Sequence, residues 1–268
     1  MKPIIQYKGG KRDEIKYFEH HIPKQYDRYI EPFVGGGALF FHLEPKRAVI
    51  NDVNKHLIVF YRNVIMRGKR VMSELEEIKS IVDSGDIESG RTLYNTLRDE
   101  YNGLKPSKYH KATLYYFLNK VGHSGLMRWN SKGLFNTAYG GKPKLPLSLT
   151  EKHIELLRNT EIYNTSYKDI LECAAENDFV FLDPPYDCWY TCYGNTDSQF
   201  KEQEHIELAN LVKQSKAKIL MVLNGTDFTR GLYKDYIVEE YSKRYITYTV
   251  DNLKDKNQKA KHLIIKNY

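Results

Sequence analysis

The sequence predicts an α/β fold, a parallel sheet divided by a mainly helical insertion that contains a hairpin. Three observations predict it. Two short strand segments flank a glycine-rich turn near the N-terminus, three more fall in the C-terminal third, and helical periodicity separates the two groups.

Taken in order, Gln6 to Lys11 reads as a loop entering a helix that stops near Pro23. Arg28-Tyr29-Ile30-Glu31 is a strand, followed by Pro32-Phe33-Val34-Gly35-Gly36-Gly37 and an apolar helix, Ala38 to Leu43. Ala48 to Asn51 is the next strand and ends on Asp52. This β-loop-α-β unit opens a parallel sheet. From Lys55 to about Glu100 the pattern is helical, with Leu57, Ile58, Phe60, Tyr61, Val64 and Ile65 on one face. Gly122, Gly125, Gly133, Gly140 and Gly141 then indicate hairpins and loops. A helix from Glu151 to Arg158 leads back to the sheet. Phe179 to Leu182 is a buried strand stopped by Asp183-Pro184-Pro185-Tyr186. Gln199 to Ser215 is helical; Lys218 to Leu223 and Ala260 to Asn267 are strands. Two sheet portions, 1–54 and 160–268, thus flank an insertion, 55–159.

With 268 residues, 41% hydrophobic and 28% charged, the chain can bury a core, which excludes wholesale disorder. No apolar run approaches the ~18–20 residues of a membrane span. Met1-Lys2-Pro3-Ile4 lacks a signal peptide's layout, so a cytoplasmic protein with no membrane partner is expected. Cys173, Cys188 and Cys192 make no disulfide framework, and Cys188-x-x-x-Cys192 has no second cluster to complete a zinc site. No metal is expected.

The net charge of +7 is unevenly placed. Between Tyr101 and Thr150 there is no Asp or Glu, while eight basic residues stand there: Lys105, Lys108, Lys111, Lys120, Arg128, Lys132, Lys142 and Lys144. Aromatics interleave with them, among them Tyr115, Tyr116, Phe117, Trp129, Phe135 and Tyr139. Cations displace counterions from phosphates and planar rings stack on bases, so a nucleic-acid surface is favoured over a solvated basic face.

Gly35-Gly36-Gly37 allows close backbone approach to a ligand beside a helix N-terminus, and Asp52 ends the next strand where it can accept ribose hydroxyls. A tight structural turn explains the glycines equally well. Neither G-x-G-x-x-G nor a phosphate loop is completed, which disfavours dinucleotides and nucleoside triphosphates. In Asp183-Pro184-Pro185-Tyr186 the prolines stiffen the turn and remove donors. A carboxylate, the Pro184 carbonyl and the Tyr186 ring can together hold a planar amine; a rigid loop ending the strand is the alternative.

Several ordered motifs resemble the Dam-type (D12 class, alpha group) DNA adenine-N6 methyltransferases. They are Tyr7-Lys8-Gly9-Gly10-Lys11, Tyr29 to Gly37, Asn51-Asp52-Val53-Asn54, Leu118-Asn119-Lys120, Gly125 to Asn130, Phe135-Asn136, the Asp183 tetrad, and His262 to Tyr268. The resemblance implies a Rossmann-like sheet binding S-adenosyl-L-methionine in 1–54 and 160–268, and target recognition in 55–159. It implies cofactor contacts from Tyr7, Lys11, Glu31, Phe33, Gly35, Gly37, Asp52 and Asp183, and catalysis at Asp183, Pro184 and Tyr186. It places Lys8, Asn119, Lys120, His123, Ser124, Leu126, Arg128 and Asn136 on double-stranded DNA, with Lys8 and Arg128 at guanine and flanking pairs. A monomer and a cognate restriction endonuclease are further expectations. Tyr7 stands where many members have Trp, His123-Ser124 replaces an aromatic-Asn pair, and Ala138 replaces a common Pro. Retention of Arg128 points to GATC. The rival expectations are another planar amine (cytosine N4, RNA adenine, glutamine amide) and a catalytically silent DNA-binding relative.

Overall fold

The computed structural model describes residues 1–186, 200–244 and 259–268. Cys188 and Cys192 therefore lie outside the described residues; Cys173 is an exposed free thiol. Strands β1 (Tyr29–Glu31), β2 (Ala48–Asn51), β3 (Thr160–Tyr163), β4 (Phe179–Leu182), β5 (Lys218–Asn224), β6 (Ile237–Arg244) and β7 (Lys259–Lys266) form one sheet. Their order is β3-β2-β1-β4-β5-β7-β6, with β7 antiparallel to both its neighbours and the other pairings parallel. Every residue of β1, β2 and β4 is buried, as central parallel strands covered on both faces must be.

The sequence pattern missed β3 and β6. Both lie at the sheet's edges, where one side of the strand needs no apolar residue. Thr160-Glu161-Ile162-Tyr163 is nowhere fully buried, and β6 carries Glu239, Glu240, Lys243 and Arg244.

Side chains alternate between two layers. Tyr29, Ile50, Phe179, Phe181, Leu220 and Val222 face a core shared with helices α3 (Lys55–Ser84), α4 (Ile87–Tyr101), α5 (Lys111–Val121) and α6 (Glu151–Arg158). Ile30, Val180, Leu182, Ile219 and Met221 face the opposite layer, packed by α7 (Tyr167–Glu172), α8 (Glu202–Gln214) and α9 (Asp227–Tyr233). The short helices α1 (Ile15–Phe18) and α2 (Ala38–Leu43) follow the two glycine-containing loops of the N-terminal segment. The Asn54 side chain starts α3 by accepting from the His56 and Leu57 amides, and a capping box of Asp86 and Ser89 starts α4. None of the helices among the described residues is long and apolar enough to cross a membrane.

The helical segment thus shares one continuous core with a sheet face. This corrects the reading of its aromatics as a stacking platform. Tyr115, Tyr116, Phe117, Trp129 and Phe135 are all buried, and Phe60 stacks on Tyr115 at 4.9 Å between centroids. Tyr115, Tyr116 and Phe117 lie on α5, which is buried at every position from Ala112 to Val121, and Trp129 packs edge-on against Phe135. The expected hairpin is reduced to two antiparallel bridges, Gly122 with Tyr139 and Trp129 with Phe135. The basic residues are also partly neutralised from outside their own segment: Lys105 pairs with Asp99 and Lys108 with Glu77.

Phe117→Ala is expected to lower unfolding stability by about 3–5 kcal/mol through the cavity it opens. Urea unfolding measures this; a loss of DNA affinity at unchanged stability would contradict the core assignment.

Candidate active site

In an open α/β sheet, ligands sit at the carboxyl ends of the strands where the strand order reverses. Here that point lies between β1 and β4. The loop after β1 turns through Gly35 (φ +46°) and Gly37 (φ +65°), conformations that glycine adopts without steric cost. A Cβ on Gly35 would stand 2.8 Å from the Tyr7 ring, so the turn must be bare for Tyr7 to lie against it. Tyr61 donates its hydroxyl to the Gly35 carbonyl (2.9 Å), and the Asn51 amide donates to the carbonyls of Pro32 and Thr165, tying the loops after β1 and β3 to β2.

These loops enclose a cavity of about 350 Å³. Of the expected site residues, Tyr7, Lys8, Lys11, Glu31, Phe33, Gly35, Asp52 and Asp183 all line it. Gly37 stands behind the loop, against Phe41. Phe200 meets Phe33 edge-on at 5.8 Å, and both also contact the Tyr167 ring, so one wall is aromatic. Neither Phe200 nor Glu204, which also lines the cavity, was singled out from the sequence, since no motif marks either.

Asp52 accepts from the backbone amides of Gly35 (2.9 Å) and Asn54 (2.8 Å), one on each carboxylate oxygen. Burial raises its pKa, and the two amides oppose that rise. Glu31 is buried deeper, its pKa pushed well up by burial while a hydrogen bond from the Tyr29 hydroxyl (2.8 Å) opposes the shift.

Asp183 is held differently. The Lys11 ammonium lies 2.6 Å from one carboxylate oxygen and 2.8 Å from the other, and also donates to the Gly9 carbonyl. Burial raises the Asp183 pKa, and Lys11 is the strongest influence against that rise. Lys11 lies 4.8 Å above the centre of the Tyr186 ring. Pro184 is buried. An N–H donor therefore already sits on the carboxylate that the sequence reading gave to a substrate amine.

Behind Tyr186 lies a network that sequence reasoning did not find. His262 meets the Tyr186 ring edge-on at 5.2 Å and stands 2.8 Å from Glu14, which also accepts from Tyr241 (2.7 Å) and Lys243. Burial works to raise the Glu14 carboxyl, but these hydrogen bonds and the nearby Lys11 charge outweigh it and hold it at about 2. Only the fold brings residues 14, 241 and 262 together.

The residues expected on DNA divide into two groups. Lys8, His123, Ser124, Arg128 and Asn136 are exposed, Leu126 is half-buried, and Arg128 donates to the Asn136 side chain at 3.1 Å. Ser124 adopts φ +54°, a left-handed conformation that is strained for a residue with a Cβ. Asn119 and Lys120 are corrections. Asn119 has no exposed surface; it accepts from the Gln6 amide and donates to the carbonyls of Gln6 and Gly125. Lys120 is enclosed over the Tyr116 ring, and burial, with Lys142 beside it, pulls its ammonium down to about 8. Lys142 also turns inward, donating to the Lys120 carbonyl at 2.7 Å.

A mostly parallel sheet of this order, with a glycine turn after β1 facing an acid after β2, is the Rossmann-like architecture that methyltransferases share with other nucleotide-binding folds. The chain belongs to the D12 class N6 adenine-specific DNA methyltransferases, whose family profile matches residues 7–249. It is 37% identical over 274 residues, covering 100% of both chains, to the type II methyltransferase M.CviBI of Paramecium bursaria Chlorella virus NC1A. It is 31% identical to the type II methyltransferase M.MjaIII of Methanocaldococcus jannaschii, over 95% of this chain and 96% of that one. With the DNA adenine methylase of Escherichia coli K12 it shares 28% identity, over 87% and 84% of the two chains. The protein is thus an adenine-specific DNA methyltransferase.

Because its folded pKa is depressed from 4.5 to about 2, Glu14 stabilises the protein fully above pH 4.5 and progressively less as pH falls toward 2. Glu14→Gln should therefore lower Tm at pH 7, by a free-energy loss of order 2–3 kcal/mol. The wild-type and variant curves of Tm against pH should converge in acid; parallel curves would show that the charge is immaterial.

Proposed function

We propose that the chain transfers a methyl group from S-adenosyl-L-methionine to adenine N6 in duplex DNA, after flipping the base into a pocket at Asp183-Pro184-Pro185-Tyr186. The observation that carries this reading is the half-buried Asp183 carboxylate, holding an N–H donor in the same cavity as Asp52 and the glycine turn. The cavity suits an adenosyl group: its volume falls within the usual range for small-molecule sites, and it combines an aromatic wall with carboxylates at Asp52 and Asp183. Asp52 has carboxylate lone pairs left for ribose hydroxyls once its two backbone bonds are counted. When bound, the cofactor supplies an electrophilic sulfonium methyl.

This chain's residues then act by placement. A base inside a duplex is out of reach, so the adenine is extruded, and Tyr186 offers its ring for stacking. The exocyclic nitrogen is a poor nucleophile because its lone pair is delocalised into the ring. Asp183 and the Pro184 carbonyl accept its two hydrogens, which favours rehybridisation and frees the lone pair for in-line attack. Lys11 leaves Asp183 as the amine arrives. Positioning and electrostatics supply the rate, with no covalent intermediate on the protein.

We assign target reading to the exposed rim formed by Lys8, His123, Ser124, Arg128 and Asn136, and take GATC as the site, on the strength of Arg128. The strained backbone at Ser124 supports a wedge at that point, inserted by His123 rather than by an aromatic residue. One copy of the chain carries both rim and pocket, so we propose that it acts as a monomer. The type II relatives support pairing with a restriction endonuclease.

Asp183→Ala should reduce methyl transfer by about 10²–10³-fold or more while DNA affinity in gel shifts stays within a few-fold. Mass analysis of digested DNA should show N6-methyladenine; N4-methylcytosine in its place would establish the rival amine. Arg128→Ala should relax discrimination at one guanine by about 1–3 kcal/mol, read by mapping methylated positions along a plasmid. Equal losses on every sequence would make Arg128 a phosphate contact, and wild-type methylation confined to another site would overturn GATC.

A further inference from the structure

At the far edge of the sheet, His20, His21 and Glu239 converge. The two histidines belong to the single 3₁₀ turn Glu19–His21 that follows α1, and Glu239 to β6. The Nε2 atoms of both histidines lie 3.0 Å from the same Glu239 oxygen, and the three candidate ligand atoms are all within 4.8 Å of one another. The imidazole centroids are 4.1 Å apart.

Two features separate this cluster from an ordinary surface ion pair. In a 3₁₀ turn, successive side chains diverge by about 120°. His20 and His21 are adjacent in sequence, yet they bring the same ring atom to one point. On the other side, a β-bulge between Ile237 and Glu239 interrupts the pairing of β6 with β7. Bulges re-aim side chains, and Glu239 is the residue at which this one closes. The turn itself is held from behind, where the Tyr268 hydroxyl donates to the His21 carbonyl. An exposed ion pair contributes little for the entropy of fixing three side chains on two separate elements.

We propose that His20, His21 and Glu239 form a binding site for a divalent transition metal, Zn²⁺ being the best match, that clips the turn after α1 to edge strand β6. Two neutral imidazoles and one carboxylate are a zinc donor set, whereas Mg²⁺ and Ca²⁺ take oxygen ligands. Ligand atoms about 2.0–2.2 Å from a tetrahedral ion stand roughly 3.3–3.5 Å apart, so small side-chain rotations close the site. His20 is 56% exposed and Glu239 45%, which leaves the fourth position open to water. The role is structural, since these residues line none of the active-site cavity. No sequence motif announces the site: Glu239 is more than 200 positions from the histidines.

The test uses the full chain without a polyhistidine tag, stripped by chelator and titrated with ZnCl₂ in a calorimeter. One saturable equivalent and a zinc-dependent rise in Tm are expected. His20→Asn and Glu239→Gln should each weaken binding by about tenfold or more and abolish that rise. Neither should alter metal-free Tm or methyl transfer. In NMR spectra of the wild type, zinc should shift two of the nine imidazole signals, a readout that does not depend on any variant folding. Absence of saturable binding overturns the proposal. So does undiminished binding in both variants, which would move the ion to other ligands, the cysteines first.

Discussion

The site exists because β1 runs parallel beside β4. Tyr29 pairs with Phe179 and Ile30 with Val180, across an intervening chain that contains every helix from α2 to α7. This adjacency aims two loops, each ending a fully buried strand, into one crevice. The glycine turn comes from one and Asp183 from the other. Neither can shift by one residue without turning an apolar face toward the wrong layer, so the register that protects the core also fixes the distance between the loops.

Four carboxylates lie in or behind that crevice, three of them buried and Asp183 half-buried, and burial pushes each toward its neutral form. They are held by different means. Asp52 rests on two backbone amides, Glu31 on the Tyr29 hydroxyl, and Glu14 on three side chains that keep it ionised. Asp183 relies on a flexible lysine. Backbone partners cannot leave without unfolding a turn, whereas a lysine can rotate away. Among the four, Asp183 is the carboxylate whose partner can be exchanged for an incoming group at little conformational cost.

Much of this was legible in the sequence. The spans of α2, β2 and β4 follow from apolar runs closed by Gly, Asp and Pro, and the residues gathered in the cavity sit in motifs next to those runs. What failed did so for identifiable reasons. Edge strands β3 and β6 carry too few apolar residues to be seen by periodicity. Charge counting along the chain treated α5 as surface, although lysines at its ends and aromatics along it are compatible with a helix enclosed by α3 and α4. Asn119 shows the same limit: its composition suits a base contact, but its amide is spent on the Gln6 and Gly125 backbone. The Glu14–His262 contact spans nearly the whole chain, and no local pattern can report it.

The Asn119 amide joins three things: α5, the residue before Tyr7, and the turn that carries His123 and Ser124. Its consequence is a division of labour in how the molecule can vary. Replacing Asn119 would unfasten loop, pocket and rim together. Replacing His123, Ser124, Arg128 or Asn136, all exposed, alters the rim without removing a buried side chain. If the rim reads DNA as proposed, a lineage can acquire a new target sequence through a few surface changes and inherit its chemistry intact.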